Sequence, residues 1–175
     1  MNVDAWPRGR SRDGGVDRVP LPHGTGALWL CGKHAIGPDP EGLLERVGGT
    51  TVVCLTERHE LIDRYPTYVA WLHEHRDRRA VWFPVPDLHA PSLASMAPFV
   101  GALNDRISSG EHLVVHCAAG IGRSGTVAIC LLVAAGVPLA DALHTVAAHR
   151  PMAGPEVGSQ QDLVEAFAAM SAADS

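Results

Sequence analysis

Apolar and polar positions alternate along the chain in blocks that predict strands and helices in turn. Residues 26–32 (GALWLCG) form an apolar run of strand length, and 40–47 carries Leu43, Leu44 and Val47 at helical spacing. Residues 50–56 are apolar with little alternation, the pattern of a strand buried on both faces. Two helical stretches, 57–63 and 66–78, are separated at Tyr65-Pro66, and Ala80-Val81-Trp82-Phe83 returns to a β-like run. Met96, Phe99, Val100, Leu103 and Ile107 recur on one face of a helix over 92–109, where Pro98 is compatible with a start near Ser95. A strand at Leu113-Val114-Val115 precedes an apolar helix over 127–135.

The terminators agree with this order. Gly136 closes the apolar helix, Pro138 suits the first turn of the next, and Pro151 follows that helix's end. Ser159 with Asp162 predicts a capping box before Leu163, Val164, Phe167 and Met170. Strands alternating with helices indicate an α/β fold, a central mostly parallel twisted β-sheet flanked by helices. Residues 1–20 read as a flexible N-terminal segment and 21–175 as a single domain, without repeats.

Between the last predicted strand and its helix lies His116-Cys117-Ala118-Ala119-Gly120-Ile121-Gly122-Arg123-Ser124-Gly125-Thr126. Five residues separate Cys117 from Arg123, enough to wrap one tetrahedral anion. In such a loop the backbone N–H groups of Ala118, Ala119, Gly120, Ile121, Gly122 and Arg123 converge on phosphate oxygens, aided by the helix dipole. Gly120 and Gly122 permit the tight turn. Arg123 offers a planar fork for two oxygens, which a lysine does not. The same field favours the thiolate of Cys117 as nucleophile, and Ser124 is placed to donate to it. His116 is expected to brace the loop through backbone carbonyls.

Expelling an alkoxide or phenoxide needs a proton donor. Asp87, in the proline-flanked run Pro84-Val85-Pro86-Asp87-Leu88-His89, lies thirty positions before Cys117, room for one helix and a return strand. Glu57 and His89 are weaker competitors for that role.

With Cys117, Arg123 and Asp87 so assigned, the chain resembles the cysteine-based protein tyrosine phosphatases, in particular their atypical dual-specificity branch. The resemblance covers roughly residues 24–170. It rests on His-Cys-x5-Arg-Ser-Gly at 116–125, Asp87 between prolines, Val52-Val53-Cys54-Leu55-Thr56-Glu57, and the stretch from Arg150-Pro151 to Gln160-Gln161. It implies the phosphatase-like α/β fold and a two-step reaction. Cys117 attacks in line while Asp87 protonates the leaving oxygen; Asp87 then acts as base on the water that hydrolyses the phosphocysteine. It also implies that Gln160 or Gln161 sits near the loop, and it requires no metal and no cofactor. The shortness of the chain implies a shallow pocket that accepts phosphotyrosine and also phosphoserine or phosphothreonine. A loop interior without lysine speaks against a phosphoinositide.

Composition narrows the classes further. A net charge of −5 gives no basic footprint for nucleic acid, so anion attraction must be local to the loop. The longest apolar run is too short to span a membrane, and Met1 to Asp17 lacks the apolar core of an ordinary signal peptide. Four cysteines without a C-x-x-C pair, one of them a reactive thiolate, fit a reducing cytoplasm. Cys31 is the favoured redox partner for Cys117, ahead of Cys54. His73 and His75 do not share a helix face, and no metal site is expected.

The leading expectation is a phosphatase of phosphoproteins. Its alternatives are a phosphatase of another ester (phosphoinositide, RNA 5′-phosphate or a small molecule) and a module that binds phosphoproteins without turnover. Nothing in the sequence fixes the oligomeric state.

Overall fold

The computed structural model describes residues 15–173. Five strands form one sheet in the order β1-β2-β5-β3-β4. They are β1 Val16–Val19, β2 Ala27–Gly32, β3 Thr51–Cys54, β4 Ala80–Trp82 and β5 His112–Cys117. Only β1 runs antiparallel to its neighbour; β2, β5, β3 and β4 pair in parallel. The seven helices described are α1 Lys33–Ile36, α2 Pro40–Val47, α3 Pro66–Glu74, α4 Leu93–Ser108, α5 Gly122–Ala134, α6 Leu139–His149 and α7 Gly158–Ala173. This is the flanked, mostly parallel sheet expected from the sequence.

Alternation within the strands splits the core in two. Leu28, Leu30, Val53, Leu113, Val115 and Cys117 pack with α4, α5, α6 and α7 on one face. Cys31, Val52, Cys54 and Val114 pack with Ile36, Leu43, Leu44, Tyr68, Val69 and Leu72 on the other. The predicted face of α4 (Met96, Phe99, Val100, Leu103 and Ile107) is buried throughout. Every residue of α5 from Gly122 to Val133 is buried, which explains its apolar sequence without amphipathic period.

Several boundaries depart from expectation. Residues 1–14 lie outside the described residues, but Val16–Val19 is a strand paired to β2, so the flexible segment does not extend to residue 20. Its alternation was too short to register: only Asp17 and Val19 turn inward. The helix expected over 57–63 is a single 3₁₀ turn, Arg58–Glu60, opened by a reciprocal capping box between Glu57 and Glu60. Helix α3 stops at Glu74, not residue 78, because Asp77 takes a left-handed conformation (φ 61°) on the way into β4. Ser92 caps α4, so Pro98 lies within its second turn. Pro138 is the residue before α6 and not its first helical residue. Ser159 lies inside α7, which begins at Gly158, so the expected capping box does not form; instead the Gln160 side chain accepts the Glu156 N–H at 2.9 Å.

Candidate active site

Strand β5 lies between β2 and β3 and ends at Cys117. A ligand crevice forms outside the carboxyl ends of parallel strands where the strand order switches, and the loop 118–121 occupies that place before α5 begins. Cys117 is 3% exposed, and its Sγ lies 3.4 Å from Ser124 Oγ, which is itself buried. Gly120 has φ 73°, and a Cβ there would collide with the Cys31 carbonyl. The Lys33 N–H donates to Ala118 O at 3.0 Å, joining the loop to the end of β2.

His116 is fully buried between this loop and α3. Its Nε2 pairs with Tyr68 Oη at 2.6 Å and its Nδ1 lies 3.3 Å from Cys117 O. The expected carbonyl brace is therefore present, with Tyr68 as a partner that the sequence did not indicate. Burial is the main reason that its pKa falls from 6.5 to about 4, so the ring is neutral at physiological pH.

Arg123 opens α5 with its side chain 2% exposed. Nη1 and Nη2 each donate at 2.8 Å to one oxygen of Glu60, a bidentate pair. Nη1 also donates to Val85 O at 2.8 Å, and Nη2 lies 3.1 Å from Asp87 Oδ1. Burial opposes charge on both partners. Their mutual hydrogen bonds, together with the lesser contacts, outweigh it, raising the arginine above its ordinary value and lowering Glu60. Glu60 is thus the carboxylate that orients the guanidinium. Glu57, weighed as an acid from the sequence, instead caps the 3₁₀ turn beside exposed His59.

The segment carrying Asp87 is held at two points. The Phe83 and Val85 N–H groups continue the sheet to Cys54 O and Leu55 O, each at 2.9 Å, and Phe83 stacks on Phe99 of α4 at 4.0 Å. Beyond Val85 the chain emerges: the Asp87 side chain is 63% exposed, and the following Leu88 is left-handed at φ 57°. His89 Nδ1 pairs with Asp87 O at 2.7 Å.

The two glutamines separate. Gln160 is 1% exposed and donates to His89 O at 3.1 Å, tying the acid segment to the turn before α7. Gln161 points elsewhere and bonds Glu165. Sequence reasoning also missed Glu156. Its carboxylate lies where a Cβ on Gly122 would be, beside the loop. Burial, then the nearby Asp87, raises its pKa above the usual carboxylate range.

Cys31 neighbours His116 across the sheet, but its thiol joins the core cluster on the face opposite Cys117, as does that of Cys54. Burial pushes both thiols up to about 12. All four cysteines are free.

Cys117 at the end of β5, the loop 118–121 and Arg123 at the start of α5 are thus contiguous, and Arg123 reaches Asp87 at 3.1 Å. A family model described as a Swiss Army Knife protein, DSP-PTPase phosphatase domain, matches residues 36–171. The chain belongs to this family. Human dual specificity protein phosphatase 22 is 46% identical over 57 residues, 32% of this chain and 31% of that protein. Phosphatidylglycerophosphate phosphatase PTPMT2 of Arabidopsis thaliana is 32% identical over 128 residues, 71% of this chain and 53% of that protein. The matches thus span less than two thirds of these relatives' length. In fold, the crystal structure of kinase-associated phosphatase with its catalytic-site cysteine changed to serine superposes with a TM-score of 0.74, at 20% identity, over 90% of this chain and 96% of that one. No helix among the described residues is long and apolar enough to cross a membrane.

Proposed function

We propose that the protein hydrolyses phosphoprotein esters, phosphotyrosine first and phosphoserine or phosphothreonine as well, through a phosphocysteine on Cys117. The observation that carries this reading is Arg123 bridging the cradle and the acid: its guanidinium opens the helix after Cys117 and touches Asp87 at 3.1 Å. An incoming phosphate takes the Arg123 edge that Asp87 now holds, leaving the carboxyl free to meet the ester oxygen. The N–H groups from Ala118 to Arg123 hold the equatorial oxygens, the Cys117 thiolate attacks phosphorus in line, and Asp87 protonates the leaving oxygen. Ser124 donates to the sulfur when it departs as thiolate. In the second step Asp87 takes the proton of the attacking water, and the Glu156 carboxylate beside Gly122 helps to orient that water. Each step conserves protons without a metal.

The phosphoprotein substrate is favoured by a loop interior free of lysine, and the reactive thiolate favours the cytoplasm. A second reading, a lipid phosphate monoester, is supported by the likeness to PTPMT2 along 71% of the chain. The test is a panel of phosphotyrosine and phosphothreonine peptides, phosphatidylglycerophosphate and a 5′-phosphorylated RNA, with wild type, Cys117→Ser and Asp87→Asn. We expect peptide turnover, its loss in Cys117→Ser with phosphate binding retained, and a loss in Asp87→Asn that grows with leaving-group basicity. Turnover of the lipid alone would overturn the protein reading, and full activity of Cys117→Ser would overturn the mechanism.

A further inference from the structure

Arg150, the last residue associated with α6, is the largest fully buried side chain among the described residues. A buried guanidinium persists only if it is paired and hydrogen-bonded. Its partners here come from the N-terminal strand and from the loop after β5. Nη1 donates to Asp17 Oδ2 of β1 at 2.7 Å, and Asp17 is itself 6% exposed. Nε donates to Gly120 O at 2.5 Å and Nη2 to Ala119 O at 2.9 Å. Two consecutive carbonyls of the loop are therefore drawn to one planar fork.

That has a consequence for the opposite side of the loop. No peptide bond described is cis, and in a trans peptide the carbonyl and the N–H point in opposite directions. The Lys33 N–H holds Ala118 O, while Arg150 holds Ala119 O and Gly120 O. The N–H groups of Gly120 and Ile121 must then point away from Arg150, and that of Ala119 away from the Lys33 backbone. The next carbonyl, of Ile121, is also occupied, accepting from Gly125 N at 3.0 Å and Gly154 N at 3.1 Å. Without the fork, the 119–120 and 120–121 units lose the contacts that define their orientation, and Gly120 is the residue least able to resist a flip.

We propose that Arg150 is the positioning residue of the anion cradle, and that Asp17 holds it in place, so that the N-terminal strand is a working part of the site. Arg150 does not touch substrate; it acts through the loop carbonyls. Its charge also lies below the loop, near enough for a favourable interaction with the Cys117 thiolate. The proposal rests on the reading of loop 118–123 as a phosphate site.

The test compares wild type with Arg150→Lys, which keeps the charge but not the fork, and Asp17→Asn, which leaves the fork without its counter-ion. Calorimetry measures inorganic phosphate binding, iodoacetate at fixed neutral pH measures the alkylation rate of Cys117, and steady-state kinetics on p-nitrophenyl phosphate separates KM from kcat. With unchanged circular dichroism, both variants are expected to bind phosphate about tenfold more weakly or worse, to alkylate more slowly, and to show KM raised more than kcat is lowered. Asp17→Glu is expected to recover most of the loss. Folded variants with wild-type phosphate affinity and alkylation rate overturn the proposal. If Arg150→Lys does not fold, Asp17→Asn decides; if neither folds, the pair is purely structural and the proposal falls. A wild type that alkylates readily but neither binds nor hydrolyses phosphate removes the functional reading instead, and the alkylation comparison still judges the clamp.

Discussion

Glu60 shows how much one side chain decides at this site. Arg123 is buried, and burial by itself works against its charge; the bidentate carboxylate reverses the balance and fixes the plane of the fork. Replacing Glu60 by Gln turns one acceptor into a donor facing the guanidinium. We expect Glu60→Gln to lower kcat/KM for an aryl phosphate by about tenfold or more, while Glu57→Gln, at the capping position, stays close to wild type. Equal effects in the two variants would remove the orienting role of Glu60. Cys117 and Arg123 were legible because their relation is local, a spacing of six on a strand–loop–helix. Glu60 was not, because it meets Arg123 across 63 positions and resembles any other carboxylate in a polar stretch. Its neighbour Glu57 was the one singled out, three residues away.

At the scale of elements, hydrophobic period identified every parallel strand and the long helices, while the short and strained pieces escaped it. Helix α5 was visible as an apolar block because it is buried from Gly122 to Val133. The 3₁₀ turn Arg58–Glu60 was not separable from a helix by period, since it opens with the same Glu57–Glu60 capping box that starts a helix and stops at Leu61. Helix α4 holds a testable conflict. Pro98 lies in its second turn with an exposed side chain, where it lacks the N–H that would bond the preceding turn. Because little packing is lost there, Pro98→Ala should raise unfolding stability by about 1–3 kcal/mol in urea titrations. An unchanged or lower midpoint would mean that the proline's bend is needed to seat Phe99 against Phe83. That stack supports the segment leading to Asp87.

The whole molecule folds around a neutral histidine. His116 titrates near 6.5 when unfolded and at about 4 when folded, because burial disfavours its charged form. Between those values the unfolded chain binds more protons, so stability rises with pH. The contribution is complete above about pH 6.5 and is lost as pH falls towards 4, roughly 3 kcal/mol in all. Urea unfolding at pH 7 and pH 4.5 should therefore show a larger drop for wild type than for His116→Gln, which cannot titrate. Parallel slopes for the two proteins would mean that other groups carry the acid sensitivity. The same burial places His116 against Tyr68 and Cys117, so acid that charges the ring also disturbs the floor of the loop.

By itself the sequence determined the α/β order of elements, the glycine-punctuated loop with its thiol and guanidinium that we propose binds an anion, and the proline-flanked Asp87 upstream that we propose as its acid. Each of these is written within a few residues or in a short-range period. Tertiary structure alone decided which distant groups complete the site: Glu60 over Glu57, Gln160 over Gln161, Tyr68 behind His116, and the Asp17–Arg150 pair that makes β1 part of the domain. The physical reason is that a buried charge or polar group must be satisfied by whatever the folded chain brings beside it. Such partners come from other strands and helices, at separations where no local pattern reaches.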